Sequence, residues 1–389
     1  MRILMVPMAA MAETSGPFSR TQWFAQAFID RGYEVALCAA RDPNFREISG
    51  TKNYFLPIPT PMGLPRFIGL HTFPIAEKLG LIKRKNVHSF EEVLFLTGAN
   101  SYSYFTNSIE WIRKAIKDFK PDLVYAEFNL SAIIAAKLEG IMVFSSFSYP
   151  AQTSYATSPQ YSQGVNRALK KLGINTVQSS LEIFEFADQL VIPSSYELEP
   201  INRKNVIFIG SLGKRKKVEE TKNKDTILAY MGNGTISKSV LVKVLTEAFS
   251  GSNFEVYIAG RGLQEVNESN IHIGSHFDFS ILLNSAVAFI NHGGQNSMMD
   301  GLVYAVPQII CPGKVFERKY NAEIIEKNQA GIQLTEKNFD AENIKKAITL
   351  FTGNQTYSEN AKKLGDSLAA LGGAATVINQ IECMFSGVI

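Results

Sequence analysis

The sequence predicts an α/β protein made of two tandem Rossmann-like, doubly wound domains with an interdomain cleft. Three observations lead there. Short apolar runs recur along both halves, each followed by a segment with helical spacing of its apolar residues, which is how a parallel sheet covered by helices on both faces reads. The chain has 389 residues, which suits two domains of the usual ~100–200 residues each. Its 46% hydrophobic side chains are enough to fill two cores.

The elements follow in order. Arg2 before an apolar run that ends in Ala10-Met11-Ala12 has the outline of a signal peptide. Ile3, Leu4, Met5 and Val6 nevertheless read better as a buried strand, because a polar loop leads on to a helix over 18–31, where Trp23, Phe24, Ala27 and Phe28 share a face. Gly32 closes that helix, and residues 33–38 resume as a strand, completing a β-loop-α-β unit. The alternation returns with a strand over 121–126, a small-residue helix over 131–138 and strands over 141–144 and 189–192. The apolar run Val206-Ile207-Phe208-Ile209-Gly210 reads as the start of a new body, so the expected division is an acceptor-binding domain 1–200, a donor-binding domain 201–370 and a C-terminal helix 371–389 packing back on the first domain. The charged stretch 213–225 reads as a solvated linker, since Glu219 and Glu220 offset its lysines. The second half then gives strands over 226–230, 254–259, 270–273, 287–290 and 308–311, with helices near 240–249, 279–284 and 294–303 and further helices to the C-terminus.

Residues 57–105 depart from this rhythm. They are rich in Pro, Gly and aromatics, with Met62, Leu64, Phe67, Phe73, Tyr102, Tyr104 and Phe105 available either to line a small-molecule pocket or to pack the flank of the domain. Lys83-Arg84-Lys85 within them reads as a solvated face.

Composition removes several function classes. Thirty-nine basic against 36 acidic residues give a net charge of +3, too even for a nucleic-acid surface. Cys38, Cys311 and Cys383 are odd in number and far apart, which fits ordinary thiols in a reducing, cytoplasmic setting. No uninterrupted apolar run reaches the ~20 residues of a membrane span, which leaves room only for peripheral membrane contact. The number of chains in the working protein is left open.

The segment with the most chemistry is Asn291-His292-Gly293-Gly294-Gln295-Asn296-Ser297, a strand end, a tight glycine turn and a helix start. Two glycines let the backbone approach a phosphate, and a helix N-terminus favours negative charge, so this is an anion site with His292 and Ser297 as added side-chain donors. Gly232-Asn233-Gly234-Thr235 and Gly260-Arg261-Gly262 each follow a strand, at the end where open α/β sheets bind ligands. Arg261 is placed either to neutralise phosphate or to make a surface ion pair, and Phe277 either to lie by a nucleotide base or to pack in the core. No Asp-x-Asp pair occurs, and His272 and His276 lack ligand partners, so no metal is expected.

The stretch from His292-Gly293-Gly294-Gln295-Asn296-Ser297 through Asp300-Gly301-Leu302, Val306-Pro307 and Pro312 to Glu317-Arg318-Lys319-Tyr320-Asn321-Ala322 and Ala330-Gly331 resembles the GT-B glycosyltransferases, specifically the family 1 group that includes the macrolide glycosyltransferases. Ser194-Ser195-Tyr196-Glu197-Leu198-Glu199 looks like that family's domain junction. The resemblance implies an inverting, metal-independent transfer from a UDP- or dTDP-sugar, a co-substrate rather than a cofactor, to a small acceptor. It implies that His292 contacts the donor diphosphate, that Gly293, Gly294, Asn296 and Ser297 close around it, and that Glu317 bonds sugar hydroxyls beside Arg318, where many relatives have glutamine. Gly16, Gly232, Gly234 and Thr235 complete the expected donor set, with Arg261 and Phe277. The aromatic insertion points to a lipophilic acceptor of polyketide, polyene or lipid type.

One departure concerns the chemistry itself. Such a transfer needs a base for the acceptor proton, and the family supplies a histidine in a Gly-His motif after the first strand. Here the matching place is Gly16-Pro17, and no histidine precedes His71. The family's partner carboxylate falls at Glu127. Three expectations follow: Glu127 is itself the base, facing the cleft in an apolar pocket that raises its pKa; Glu13 in the Gly16 loop is the base; or catalysis is lost and the chain is a nucleotide-sugar-binding accessory subunit.

Overall fold

The computed structural model describes residues 1–9, 16–65, 86–212, 224–232 and 234–387. Expectations placed on Glu13, Phe67, Phe73, Lys83-Arg84-Lys85, Asn233 and most of the charged linker lie outside these residues, as does the Pro17 side chain. The chain forms two compact units, Met1–Leu212 with Leu371–Ile389, and Gly213–Ala370.

The first unit carries seven strands, β1 (Arg2–Pro7), β2 (Glu34–Ala40), β3 (Lys52–Leu56), β4 (Leu123–Glu127), β5 (Met142–Ser146), β6 (Gln189–Ile192) and β7 (Val206–Phe208). They lie in the order β3-β2-β1-β4-β5-β6-β7, and every pairing is parallel. Both faces of β1 are covered, which is why its sequence is continuously apolar: Ile3 and Met5 enter one core and Leu4 and Val6 the other. Helix α1 (Gly16–Asp30) closes the first face, with Phe24 stacked against Tyr125 of β4 at 4.7 Å between ring centroids. On the other face lie α2 (Phe90–Thr97), α3 (Tyr102–Phe119), α4 (Leu130–Leu138) and α5 (Gln163–Lys171). In α3, Ile109, Ile112, Ile116 and Phe119 are buried at i, i+3, i+7 and i+10, one helical stripe.

The strand at Val206–Phe208 corrects the expected organisation. It does not open the second domain but adds to the edge of the first sheet, with Leu190, Val191 and Ile192 paired to Val206, Ile207 and Phe208. An apolar triplet after a loop looks the same whichever sheet edge it joins, so the pattern did not settle its owner.

The second unit repeats the plan with β8 (Thr226–Tyr230), β9 (Glu255–Ala259), β10 (Val266–Glu268), β11 (Ile271–Gly274), β12 (Ala286–Asn291), β13 (Gln308–Ile310) and β14 (Gly331–Gln333), in the order β10-β11-β9-β8-β12-β13-β14. Only the β10–β11 hairpin at the edge is antiparallel. The helices are α6 (Lys238–Phe249), α7 (Phe279–Ser285), α8 (Gln295–Val303), α9 (Phe316–Lys327), α10 (Ala341–Gly353) and α11 (Thr356–Ala370). β3, β10 and β14 escape the sequence pattern because they are short edge strands with mixed polarity.

The chain ends in α12 (Ala374–Phe385), which belongs to the first unit and packs on α1. Its Val377, Ile378 and Ile381 enter the core beside Phe24 and Phe28, and Glu382 bonds Arg31 at 2.7 Å and the Tyr33 hydroxyl at 2.8 Å. Against the expectation of no such run, Thr356–Phe385 has the length and a mean hydropathy of 1.3 that would suit a membrane span. It is two helices, broken at Gly372 and Gly373 with φ of +79° and +60°, and it buries Ala361, Leu364 and Leu368 in one unit and Val377 and Ile381 in the other.

Candidate active site

In the second unit, β12 ends at Asn291, His292 and Gly293 make the turn, and α8 starts at Gln295 with Gly294 as its N-cap. Gly293 has φ +77°, and a Cβ there would sit 2.9 Å from the Arg318 carbonyl and 3.0 Å from Ile310 Cγ2, so both the conformation and the space require glycine. Side-chain amides fix the turn. Asn291 Oδ1 accepts from Gly293 N at 2.8 Å, and Asn291 Nδ2 donates to Gln308 Oε1 at 2.9 Å. Gln308 Nε2 donates to the Met298 carbonyl and Asn321 Nδ2 to the Gly293 carbonyl, each at 2.8 Å. The loop is thus rigid before any ligand arrives, with the first-turn amides of α8 directed outward from a helix end whose cap carries no side chain.

His292 lies in a groove made of glycines. A Cβ on Gly294 would fall 2.7 Å from its Nε2, one on Gly232 3.1 Å from its Cε1, and one on Gly234 3.0 Å from its Cβ. Tyr230 meets the imidazole edge-on at 6.1 Å. Burial, and then the nearby Arg318 charge, lower the His292 pKa from 6.5 to about 4, so the ring is neutral at physiological pH. His292 Nδ1 and Thr235 Oγ1 are both buried without a hydrogen-bond partner. Thr235 is also pressed against Gly313, whose Cβ would lie 2.7 Å from that hydroxyl. Two orphaned polar atoms beside a helix N-terminus are what a site shows when a ligand supplies their partners.

The remaining expected donor residues are spread more widely. Asn296 is half-buried and Ser297 buried in the first turn of α8. Arg318 is half-buried at the start of α9, where burial lowers its pKa and neighbouring Glu317 pulls it back up. Glu317 itself is exposed. Arg261 is exposed after β9, and its carbonyl accepts from Lys238 Nζ. Phe277 packs edge-on against Tyr257 at 5.3 Å and over Gly274, where a Cβ would meet its Cζ at 3.0 Å. His272 is bonded to Glu255 at 2.7 Å and to Asn267 at 3.0 Å, and His276 is exposed. Among the described residues no three His, Cys, Asp or Glu side chains gather as a metal site.

Gly16 belongs to the first unit, at the start of α1, where a Cβ would lie 3.7 Å from Arg20 Nη1. This arginine, one turn along the helix, changes the reading of Glu127. The Glu127 carboxylate is fully buried, but its surroundings are not the apolar pocket expected from the sequence. Oε1 accepts from Arg20 Nε at 2.6 Å, and Oε2 accepts from Ser146 Oγ, which is 2.9 Å from the Tyr125 hydroxyl. Burial raises the Glu127 pKa, while Arg20 and Ser146 pull it down. With both oxygens engaged and no exposed surface, Glu127 is a structural anchor in this conformation and not a base facing a substrate. Phe128, which follows it, is held at φ +54° with Arg20 stacked over its ring at 5.4 Å.

Beside this pair, at the C-terminal ends of β1 and β4, a cavity is lined by Met8, Ala9, Leu94, Ala99, Phe105, Phe128 and Leu130, with Asn100, Tyr104, Asn129 and Ser131 as its polar members. Tyr104 and Phe105 are thus two of the insertion aromatics that reach a pocket. Met62 is exposed instead, and Tyr102 lies under the Arg167 guanidinium at 4.2 Å. Arg20 and Ser146 had no signal in the sequence: Arg20 is 107 positions from its partner, and helix spacing shows only that it faces inward. Asn291, Gln308 and Asn321 were equally silent, since amides that brace a turn follow no motif.

Comparison with known proteins agrees with this architecture. A family described as "Erythromycin biosynthesis protein CIII-like, C-terminal domain" matches residues 258–384. An uncharacterised glycosyltransferase of Methanosarcina mazei is 26% identical over 295 residues, 70% of this chain and 75% of that protein. The NDP-glycosyltransferase YjiC of Bacillus subtilis is 22% identical over 300 residues, 70% of this chain and 74% of that protein. Among solved structures, the calicheamicin glycosyltransferase CalG4 superposes with a TM-score of 0.75 at 15% identity, covering 100% of this chain and 98% of that one. The spinosyn rhamnosyltransferase SpnG, complexed with spinosyn aglycone, gives 0.71 at 17% identity over 98% of this chain and 100% of that one, and SpnG is also known with thymidine diphosphate.

Proposed function

We propose that this chain, a GT-B glycosyltransferase of the macrolide and NDP-glycosyltransferase group, moves a sugar from a UDP- or dTDP-sugar to an oxygen of a small lipophilic acceptor with inversion at the anomeric carbon. The observation that carries the reading is the pair of orphaned atoms, His292 Nδ1 and Thr235 Oγ1, beside the uncapped N-terminus of α8. In that place a diphosphate would accept hydrogen bonds from a neutral imidazole, a hydroxyl and helix amides, and the same donors would stabilise the negative charge that builds on the leaving diphosphate. Arg318 adds a cation at the same turn. The acceptor part of the proposal draws on the apolar cavity at the ends of β1 and β4, and on SpnG having been solved with an aglycone and with thymidine diphosphate.

The test is to incubate the protein with UDP- and dTDP-sugars and follow nucleotide diphosphate release with and without lipophilic acceptors. Acceptor-dependent release, abolished in His292→Ala with Thr235→Val, is expected. The buried, fully engaged Glu127 favours a second reading, an accessory subunit that binds the donor without turning it over. Tight donor binding with no release for any acceptor, together with stable association with a partner enzyme, would select it.

A further inference from the structure

An inverting transfer to a neutral hydroxyl leaves a proton to be removed, and the residues around the first-unit cavity offer nowhere for it to go. Glu127, the carboxylate nearest the cavity wall in sequence, has one oxygen on Arg20 at 2.6 Å and the other on Ser146, with no exposed surface. The cavity's polar members are two amides, a serine and Tyr104, whose hydroxyl burial pushes up, so it stays a proton donor. Behind the wall the charge is positive: Arg20 stacks on Phe128, a lining residue, at 5.4 Å.

From these features we infer that the acceptor is an oxygen acid, a phenol or enol or a carboxylic acid, that enters the cavity beside Phe128 and Tyr104 already ionised. The inference rests on the glycosyltransferase reading and specifies its acceptor. The acceptor gives its proton to solvent before binding. A lone pair of its anionic oxygen forms the bond to the anomeric carbon while the bond from that carbon to the diphosphate oxygen breaks, and the electron pair leaves with the diphosphate. No protein group changes protonation in the step. The Tyr104 hydroxyl is placed to donate to the bound anion, and the Arg20 guanidinium, paired with Glu127, keeps the wall behind Phe128 from becoming anionic.

The experiment uses the full chain and the UDP- or dTDP-sugar that it binds, with four ring-matched acceptors: 4-nitrophenol, 4-methylphenol, benzyl alcohol and benzoic acid. Donor binding is measured in parallel. Transfer to 4-nitrophenol or benzoate is expected at neutral pH, and which of them reacts separates the phenol source from the carboxylic acid. Transfer to 4-methylphenol should rise about tenfold per pH unit towards that acceptor's own pKa, which is ~10 as for a tyrosine ring. Benzyl alcohol should react at least 100-fold more slowly than the best acid. Benzyl alcohol reacting within tenfold of 4-nitrophenol, with one pH profile shared by all acceptors, would overturn the inference and point to an enzyme base. Donor binding with no transfer to any acceptor would overturn it too, leaving the donor site standing. Absence of donor binding would remove the glycosyltransferase reading with it.

Discussion

His292 sits neutral in its glycine groove, and that has a sign in pH. Its folded pKa of about 4 lies below the 6.5 of the unfolded chain, so the unfolded state takes up a proton first as pH falls. Above 6.5 the residue has no effect on stability; between 6.5 and 4 it progressively destabilises the fold, and below 4 the loss is complete. Urea midpoints measured from pH 8 to pH 4.5 should therefore fall more steeply in the wild type than in His292→Gln, and parallel curves would refute the assignment. The Glu127–Arg20 pair gives a second residue-scale prediction. Glu127→Gln leaves a buried guanidinium without its counter-charge and should cost roughly 3–5 kcal/mol in chemical denaturation, with most of that recovered when Arg20→Met is added. The donor side of this chemistry was legible because its residues are consecutive, from His292 to Ser297, and backbone geometry follows from local spacing. The Arg20 pairing was not, because it depends on a helix and a strand being brought together by the fold.

At the scale of elements, the junction of β12 and α8 is where strand end, glycine turn and helix dipole meet, and its glycines are tests of separate things. At Gly294 φ is −65°, so alanine suits the backbone, but its Cβ would press on His292 Nε2. Gly294→Ala should weaken nucleotide diphosphate binding about tenfold, ~1.4 kcal/mol, with little change in the urea midpoint. At Gly293, with φ +77° and the Arg318 carbonyl 2.9 Å from any Cβ, alanine should instead lower stability by about 1–3 kcal/mol. If the two variants behaved alike, the separation of ligand groove from turn would be wrong. The long buried strands were readable from their apolar runs, and β1, β4, β8 and β12 lie within a residue or two of the expected places. The short edge strands β3, β10 and β14 and the ownership of β7 were not, since edge position is a property of the sheet and not of the segment.

For the whole molecule, the sequence showed two Rossmann-like bodies because each repeats the same alternation, and both resolve into seven-stranded sheets. The C-terminal helix α12 belongs to the first of them, and deleting residues 371–389 would uncover Val377, Ile378 and Ile381 together with the core they cover. At ~1.5–3 kcal/mol for each buried aliphatic side chain, the truncated chain should lose several kcal/mol in the first unit, seen as a lower first transition in a thermal melt. Donor binding by Gly213–Ala370 should persist below that transition. The central claim is that His292, Thr235 and the α8 N-terminus form a diphosphate site, and calorimetric titration tests it most directly. UDP or dTDP should bind at least 100-fold more tightly than the matching nucleoside, and His292→Ala with Thr235→Val should erase most of that difference. Equal affinity for nucleoside and diphosphate, or a difference untouched by the two substitutions, would contradict the account.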